Sequence, residues 1–427
     1  MTESNFIPES ALPKGVRDFL PVKAAKVEYL QQQLRQVMDQ WGFRPVIPPQ
    51  LEFFDILEKG LGRDLQARAF RFEDRQSGRL LAFPPDITPQ IARIAAMRMH
   101  ELPLPLRLCY AGKVLRHAEE QAGKDREIYQ AGVELIGLAQ AEADAEMIAM
   151  AIECLRRIGA QGFTLDIGQV EFFRGVMDRL ALPPALARRV ADAIGRKDST
   201  ELKSLLDEGQ VDADARQEVL ALPRLFGGRE VLTRAAQMVT NQRSQRALDN
   251  LTRVLELLDL HGVAEAVTFD LGELRGLDYH TGITFQGFLP GYGQAVCSGG
   301  RYDELMANYG RPAPATGFTF DLLNLLFALD SSLEVQAAPQ TALLVFAAPG
   351  GLLRAQQLTP QLRQAGYSAA RDMLQRSEQE ALAYARLMNY RHLLVVPEPH
   401  QPLRLIQLAT MAEKTLHEQE LLQHQSL

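Results

Sequence analysis

The sequence predicts an α+β chain in two parts, a long segment mixing helices with strands and a small C-terminal α/β unit. Three observations predict it. Apolar residues recur at helical spacing in several stretches of the first 330 residues. Two long alternating runs, Pro105–Arg116 and Arg126–Gly137, read as strands joined across the polar, glycine-containing stretch His117–Asp125. Beyond residue 340 the pattern changes to regular strand–helix alternation.

Taken in order, Pro21 to Gly42 reads as a helix, because Val27, Leu30, Leu34, Val37 and Met38 share one face. A second helix is expected from Asp86 to Met99, with Ile91, Ile94 and Ala95 inward. A third is expected from Asp144 to Ile158, with Met147, Ile148, Ala151, Ile152 and Leu155 inward. The stretch from Val176 to about Leu260 is helical and rich in Leu, Ala and Arg. Strands return at Val267–Leu271 and His280–Phe288, followed by a glycine-rich turn at Ser298 and a helix from Asp303. Domain limits follow: residues 1–330 as one domain with a helical segment near 176–260, a linker over 331–340, and a C-terminal domain over 341–427. That last domain reads as a βαβαβ unit: strands at Ala342–Ala347, Tyr367–Met373 and His392–Pro397, helices at Gly351–Ala365 and Ser377–Met388.

Composition narrows the class. Of 427 residues 46% are hydrophobic and 23% charged, as in a folded globular chain, and the net charge of −7 excludes a broad basic coat for nucleic acid. Cys109, Cys154 and Cys297 lie far apart, which excludes a disulfide framework or cysteine zinc cluster and suits a reducing cytoplasm. MTESNFIPES has neither a basic nor an apolar signal region, and no apolar stretch approaches the ~18 residues that span a bilayer. The histidines show no metal-ligand spacing, so neither a metal nor a cofactor is expected. There is also no nucleophile motif.

The polar residues of the first domain carry the chemistry. Alternation puts Ile128, Gln130, Gly132, Glu134 and Ile136 on one face of their strand. A carboxylate among apolar neighbours, with a glutamine and a glycine on the same face, suits a cation or an N–H donor such as an imidazole. A solvated sheet face gives the same pattern. Arg116, at the end of the preceding strand, could clamp a carboxylate or phosphate, or pair with Glu119 or Glu134. The segment from Leu274 to Phe285 concentrates Arg275, Asp278, Tyr279, His280 and two threonines at a strand edge, with Gly276 and Gly282 permitting close backbone approach. Asp303 reads as a helix-initiating carboxylate. Gly299-Gly300 lacks the spacing of a phosphate-binding loop.

Together these stretches resemble the histidyl-tRNA synthetase catalytic domain. The resemblance rests on Gly15-Val-Arg-Asp-Phe-Leu-Pro, Pro85-Asp-Ile-Thr-Pro-Gln, Arg116 with Arg126-Glu-Ile-Tyr-Gln-Ala-Gly-Val-Glu-Leu-Ile-Gly, Leu274-Arg-Gly-Leu-Asp-Tyr, Gly299-Gly-Arg-Tyr-Asp and Gly317-Phe-Thr-Phe. These occur in order over about Leu12 to Asp330. The resemblance implies a class II aminoacyl-tRNA synthetase-like fold, a mostly antiparallel sheet flanked by helices and usually dimeric. It further implies that Asp86, Thr88, Gln130 and Glu134 line a histidine pocket, with Arg116 and Arg275 facing ATP and the reacting carboxylate. Tyr279 and His280 complete the set, His280 standing where the family has a tyrosine.

Departures from the family cluster at the nucleotide. The third motif, normally ending Gly-Leu-Glu-Arg, is here Asp321-Leu-Leu-Asn324. Ala118 replaces the glutamate of the second motif, and Pro84 occupies an arginine position. Adenylate formation depends on cations that neutralise the triphosphate, and asparagine supplies none. The C-terminal unit faintly resembles an anticodon-binding domain, with only Arg371, Arg376, Arg386 and Arg391 as candidate contacts. Phosphate contacts dominate RNA affinity, so tRNA is not an expected partner. The whole pattern resembles the ATP phosphoribosyltransferase regulatory subunits, a synthetase-derived family without aminoacylation activity. That resemblance implies a non-catalytic homodimer assembled with the short-form catalytic subunit into a hetero-octamer in the first step of histidine biosynthesis, with histidine as effector. An active histidyl-tRNA synthetase and a synthetase-like binding module for another partner stay open as alternatives.

Overall fold

Two ten-residue strands, β1 (Leu106–Leu115) and β2 (Glu127–Ile136), form an antiparallel ladder running from Leu106 opposite Ile136 to Leu115 opposite Glu127. The first part of the molecule is arranged around this pair. The computed structural model describes residues 12–117, 125–272, 279–334, 342–374 and 376–423. It falls into two units: one runs to Leu333, apart from Phe19–Lys26, and the other takes Phe19–Lys26 together with the chain from Glu334 onward.

The first unit adds β3 (Thr164–Gln169), β4 (Val267–Asp270), β5 (Ile283–Phe288), β6 (Cys297–Arg301) and β7 (Ala315–Asp321). With two-residue strands at Arg44–Pro45 and Phe226–Gly227, the described sheet runs (44–45)-β1-β2-β7-β6-β5-β3-β4-(226–227). Every pairing from β1 through to β3 is antiparallel. Helix α1 (Pro21–Gln40) buries the five residues that its sequence spacing selects. Helix α2 (Thr88–Arg98) and α3 (Ala141–Arg157) likewise follow their apolar stripes. In α3 the acidic first turn (Glu142, Asp144) and basic last turn (Arg156, Arg157) also complement the helix dipole.

Residues 170–260 divide into six helices, among them α5 (Pro184–Gly195), α6 (Ser199–Glu208), α7 (Ala213–Ala221) and α9 (Gln242–Leu260), following α4 (Val170–Asp178). Asp198, Asp212 and Asn241 start three of them by accepting backbone N–H bonds that no helical carbonyl reaches. The sixth, α8, is Glu230–Met238.

The stretch around Ser298 differs from its sequence pattern. Instead of a turn leading into a helix, Cys297–Arg301 is the strand β6, inserted between β5 and β7 and followed by one 3₁₀ segment, Leu305–Tyr309. A Cβ at Gly299 would lie 2.6 Å from the Phe285 ring and from Phe318 Cβ, so the glycine serves close strand packing. Asp303 starts no helix. Its carboxylate accepts from Ala315 N (3.1 Å) and Arg301 Nη1 (3.1 Å). Arg301, 6% exposed, also donates to Asp144 Oδ2 (3.0 Å) and the Leu138 carbonyl (3.0 Å), tying β6 to α3.

In the second unit β8 (Leu343–Ala347), β9 (Ala369–Arg371) and β10 (His392–Val396) are parallel, while β11 (Leu403–Gln407) and β12 (Glu413–Leu416) are antiparallel, in the order β9-β8-β10-β11-β12. β8 is buried on both faces, hence its unbroken apolar run. Leu343 and Val345 pack with Ala355, Leu358 and Leu362 of α11 (Leu352–Gln364). Leu344 and Phe346 pack with Ala381 and Ala385 of α12 (Glu378–Leu387). The polar C-terminal stretch is more structured than its composition suggests. After β12 comes a short helix, α13 (Glu418–Gln423), held by buried Leu421 and by Tyr367 Oη donating to the Leu421 carbonyl (2.9 Å).

The Arg301–Asp144 pair generates a stability prediction. Arg301→Met leaves a carboxylate that is 2% exposed without its cation, which costs about 3–5 kcal/mol. Urea denaturation is expected to show that loss, and the double variant Arg301→Met/Asp144→Leu to regain most of it.

Candidate functional site

The site begins with register. In β2 the side chains of Gln130, Gly132 and Glu134 share one face, and β7 places Asp321, Thr319 and Gly317 opposite them. A Cβ on Gly317 would collide with Glu134 Oε2 and the Val133 carbonyl. Gly132 is under the same constraint from the other neighbour, since its Cβ would lie 2.7 Å from Tyr110 Oη. The two glycines therefore open a slot over the sheet, and Glu134 and Tyr110 fill it. Tyr110 Oη donates to Glu134 Oε1 (3.2 Å), and Tyr302 Oη makes a short bond to Oε2. Glu134 is only 1% exposed.

The segment before α2 forms the adjoining wall. Gln130 Oε1 accepts from Ile87 N (3.0 Å), and its Nε2 donates to Asp86 Oδ1 (3.0 Å). The buried amide thus fixes the Asp86 carboxylate. Thr88 Oγ1 lies 3.4 Å from Tyr110 Oη. Arg116 Nε donates to the Pro85 carbonyl (2.7 Å), bracing the same segment from outside the cleft. On the far side the Tyr279 ring lies 5.6 Å from Tyr302 and 5.2 Å from His280, edge-on to the latter. The Tyr279 hydroxyl is buried and has no hydrogen-bond partner among the described residues. Five of the sequence-selected residues (Asp86, Thr88, Glu134, Tyr279, His280) therefore line one cleft, while Gln130 and Arg116 hold its wall. Arg275 lies outside the described residues.

The cleft encloses about 840 Å³ and extends from the sheet face to α5. Its described carboxylates are Asp64, Asp86, Glu134, Asp166, Asp192 and Asp270; its described cations are Arg63, Arg188 and Lys197. Lys197 is already paired with Asp270 (3.2 Å). Such a lining favours an ammonium or an N–H donor over a polyphosphate. Burial pushes the Glu134 carboxyl up to about 8; hydrogen bonds from Tyr302, Thr88 and Tyr110 oppose that, and the Asp86 charge adds to it. Burial, followed by Glu134 and Asp86 for Tyr110 and Tyr279 and by Glu134 for Tyr302, raises all three hydroxyls well above the ordinary phenol value.

Where β7 passes into α10 (Leu322–Leu329), Asp321 caps the helix by accepting from Leu323 N (2.9 Å) and Asn324 N (3.1 Å). Asn324 Nδ2 donates to the Ala295 carbonyl (2.9 Å), and its Oδ1 accepts from Tyr292 Oη (2.8 Å). Its amide is engaged within the fold and carries no charge. Tyr110 and Tyr302 are pocket residues that sequence reasoning did not select. Tyr110 shares its strand face with Gly112, and Tyr302 sits inside Gly299-Gly-Arg-Tyr-Asp. The β1–β2 register sets Tyr110 opposite Gly132, next to Glu134, and the placement of β6 beside β7 brings Tyr302 to the same carboxyl. Among the described residues no cluster of His, Cys, Asp and Glu could hold a metal ion, and no helix is long and apolar enough to cross a membrane.

A largely antiparallel sheet with an acid-and-phenol pocket on its face, and a helix leaving its last strand beside that pocket, is the class II aminoacyl-tRNA synthetase catalytic scaffold. The family model for histidyl-tRNA synthetase matches residues 15–325. An ATP phosphoribosyltransferase regulatory subunit from Syntrophotalea carbinolica is 59% identical over 97% of each chain. The protein of the same name from Geobacter sulfurreducens is 54% identical over 91% of this chain and 89% of its own. Among solved structures, one titled an ATP phosphoribosyltransferase regulatory subunit/histidyl-tRNA synthetase from Bacillus halodurans C superposes with a TM-score of 0.81. It is 28% identical and covers 93% of this chain and 100% of its own. The chain belongs to the histidyl-tRNA synthetase-like family and, within it, to the ATP phosphoribosyltransferase regulatory subunits. The fold class that the sequence motifs implied is the one observed.

Glu134 makes stability depend on pH. Its folded value of about 8 lies above its ordinary 4.5. Its stabilising contribution is therefore complete below about pH 4.5 and lost as pH rises through 8. Denaturation of the empty protein is expected to show Glu134→Gln gaining on wild type by on the order of 3 kcal/mol between pH 5 and pH 8. Parallel pH profiles for the two proteins would refute this.

Proposed function

We propose that this chain is the non-catalytic regulatory subunit of an ATP phosphoribosyltransferase. It assembles with a short-form catalytic subunit in the cytoplasm, and histidine is its effector. The observation that carries this reading is the contrast between the two ends of the ancestral site. At the amino-acid end Gln130, Asp86, Glu134 and the tyrosines form a connected polar pocket. At the nucleotide end Asn324 stands in the position of a triphosphate-binding arginine and gives its amide to Ala295 and Tyr292. Without that cation the α-phosphate has no electrostatic partner there for attack by the ligand carboxylate.

In this reading Glu134 meets the imidazole, Asp86 meets the α-ammonium, Thr88, Tyr279 and His280 close around the ligand, and Arg275 meets its carboxylate. Gln130 and Arg116 act as positioning residues. Residues 1–330 carry the pocket and form a homodimer. The reduced anticodon-binding-like unit over 341–427 contributes no tRNA binding, in keeping with Arg376, which is held by Asp372 (2.6 Å) and stacked on Tyr384. Feedback requires that histidine bind the active and inhibited hetero-octamers with different affinity.

Reconstitution tests the proposal. Added to a purified short-form catalytic subunit, the wild-type chain is expected to raise phosphoribosyltransferase activity, and histidine to lower it. Glu134→Ala and Gln130→Leu are each expected to raise the histidine concentration needed by about tenfold or more, the loss of one or two polar contacts. Failure to stimulate the catalytic chain, or robust histidine-dependent ATP–pyrophosphate exchange by this chain alone, would overturn the reading.

A further inference from the structure

We infer that the cleft binds its imidazole ligand as the imidazolium, with the proton supplied by Glu134, so that the pocket selects a ring able to take up a proton. This rests on the reading of the cleft as a histidine site.

Each element packed around Glu134 presents a group to the carboxyl or its surroundings: Tyr110 from β1, Asp86 and Thr88 from the segment entering α2, Tyr279 and His280 from before β5, and Tyr302 from after β6. Its two oxygens accept from phenols, and among the described residues no cation is bonded to it. A carboxylate that is 1% exposed beside a second carboxylate holds its proton in the empty pocket. The direction of its pKa agrees, at about 8.

Binding reverses the balance. An α-ammonium at Asp86 neutralises the charge that opposes ionisation of Glu134. The ring nitrogen, with a reference pKa of about 6.5, presents a base to the Glu134 carboxyl. The Glu134 O–H bond breaks and a ring N–H bond forms, giving a carboxylate and an imidazolium with no proton exchanged with solvent. Tyr110 and Tyr302 are already placed to donate to the new negative charge, and charge-assisted bonds are the stronger kind. The buried Tyr279 hydroxyl, without a partner among the described residues, belongs to the residues lining the same volume.

The test uses the full chain with ring-¹⁵N histidine, combining NMR of the bound ring with calorimetry in phosphate and in Tris near pH 7.2. Both ring nitrogens are expected at imidazolium shifts, with close to zero protons exchanged. The affinity is expected to stay constant from about pH 6.7 to 7.7, since free and bound states carry the same proton count between the two pKa values. The analogue 1,2,4-triazol-3-ylalanine, equal in shape but scarcely basic, is expected to bind wild type about tenfold or more weakly than histidine does. On Glu134→Gln the two ligands should bind within about twofold of each other. A neutral bound ring, release of about one proton with affinity rising nearly tenfold per pH unit, or equal wild-type affinity for both ligands would each overturn the inference. Those outcomes leave the histidine site standing, whereas absence of any histidine binding removes both.

Discussion

The structure depends on a single costly arrangement, a glutamate on the inner face of an antiparallel sheet with phenols instead of a cation for company. Without a cation beside it, burying a carboxyl there is tolerable while it keeps its proton and its hydrogen bonds. Both conditions are met by backbone placement. Gly317 and Gly132 leave the space, the β1–β2–β7 register brings Tyr110 to one oxygen, and the insertion of β6 brings Tyr302 to the other. Gln130, two pleat repeats away on the same face, fixes the second carboxylate, Asp86, in the same cleft.

Under the proposed function, one sheet has lost a reaction and kept a ligand. The amino-acid pocket is built from neutral and acidic groups borne by β2 and by the segment before α2, whereas the nucleotide side falls at the β7–α10 corner and around Arg116. The two sets share a framework but few side chains. Asn324 illustrates the result: it stabilises the β7–α10 corner through Tyr292 and Ala295 while contributing nothing to a triphosphate. Arg116 survives, but its guanidinium braces the Pro85 carbonyl and so serves the amino-acid side.

Much of this was legible in the sequence because it follows from short-range periodicity. Alternation in Arg126–Gly137 assigns Gln130 and Glu134 to one face, and helical spacing in α1, α2 and α3 identifies their buried stripes. What escaped was non-local. Cys297–Arg301 contains two glycines, no β-branched residue and an arginine, so local propensity speaks against a strand; its neighbours β5 and β7 enforce one. Thr164–Gln169 and Ala315–Asp321 also went unselected as strands, although each carries β-branched residues. Tyr302 was invisible as a Glu134 partner because sequence does not say that β6 lies beside β7, and Tyr110, on the strand expected to pair with β2, because sequence does not give the register of that pair. The final helix, Glu418–Gln423, hides in a polar stretch because two leucines suffice to anchor six residues.

Separate equilibrium dialysis of labelled histidine and labelled ATP against the purified chain is the most direct measurement of the central claim. Histidine should be retained without nucleotide, and ATP should be neither retained nor able to change histidine retention. Retention of ATP together with histidine, accompanied by release of pyrophosphate, would contradict it.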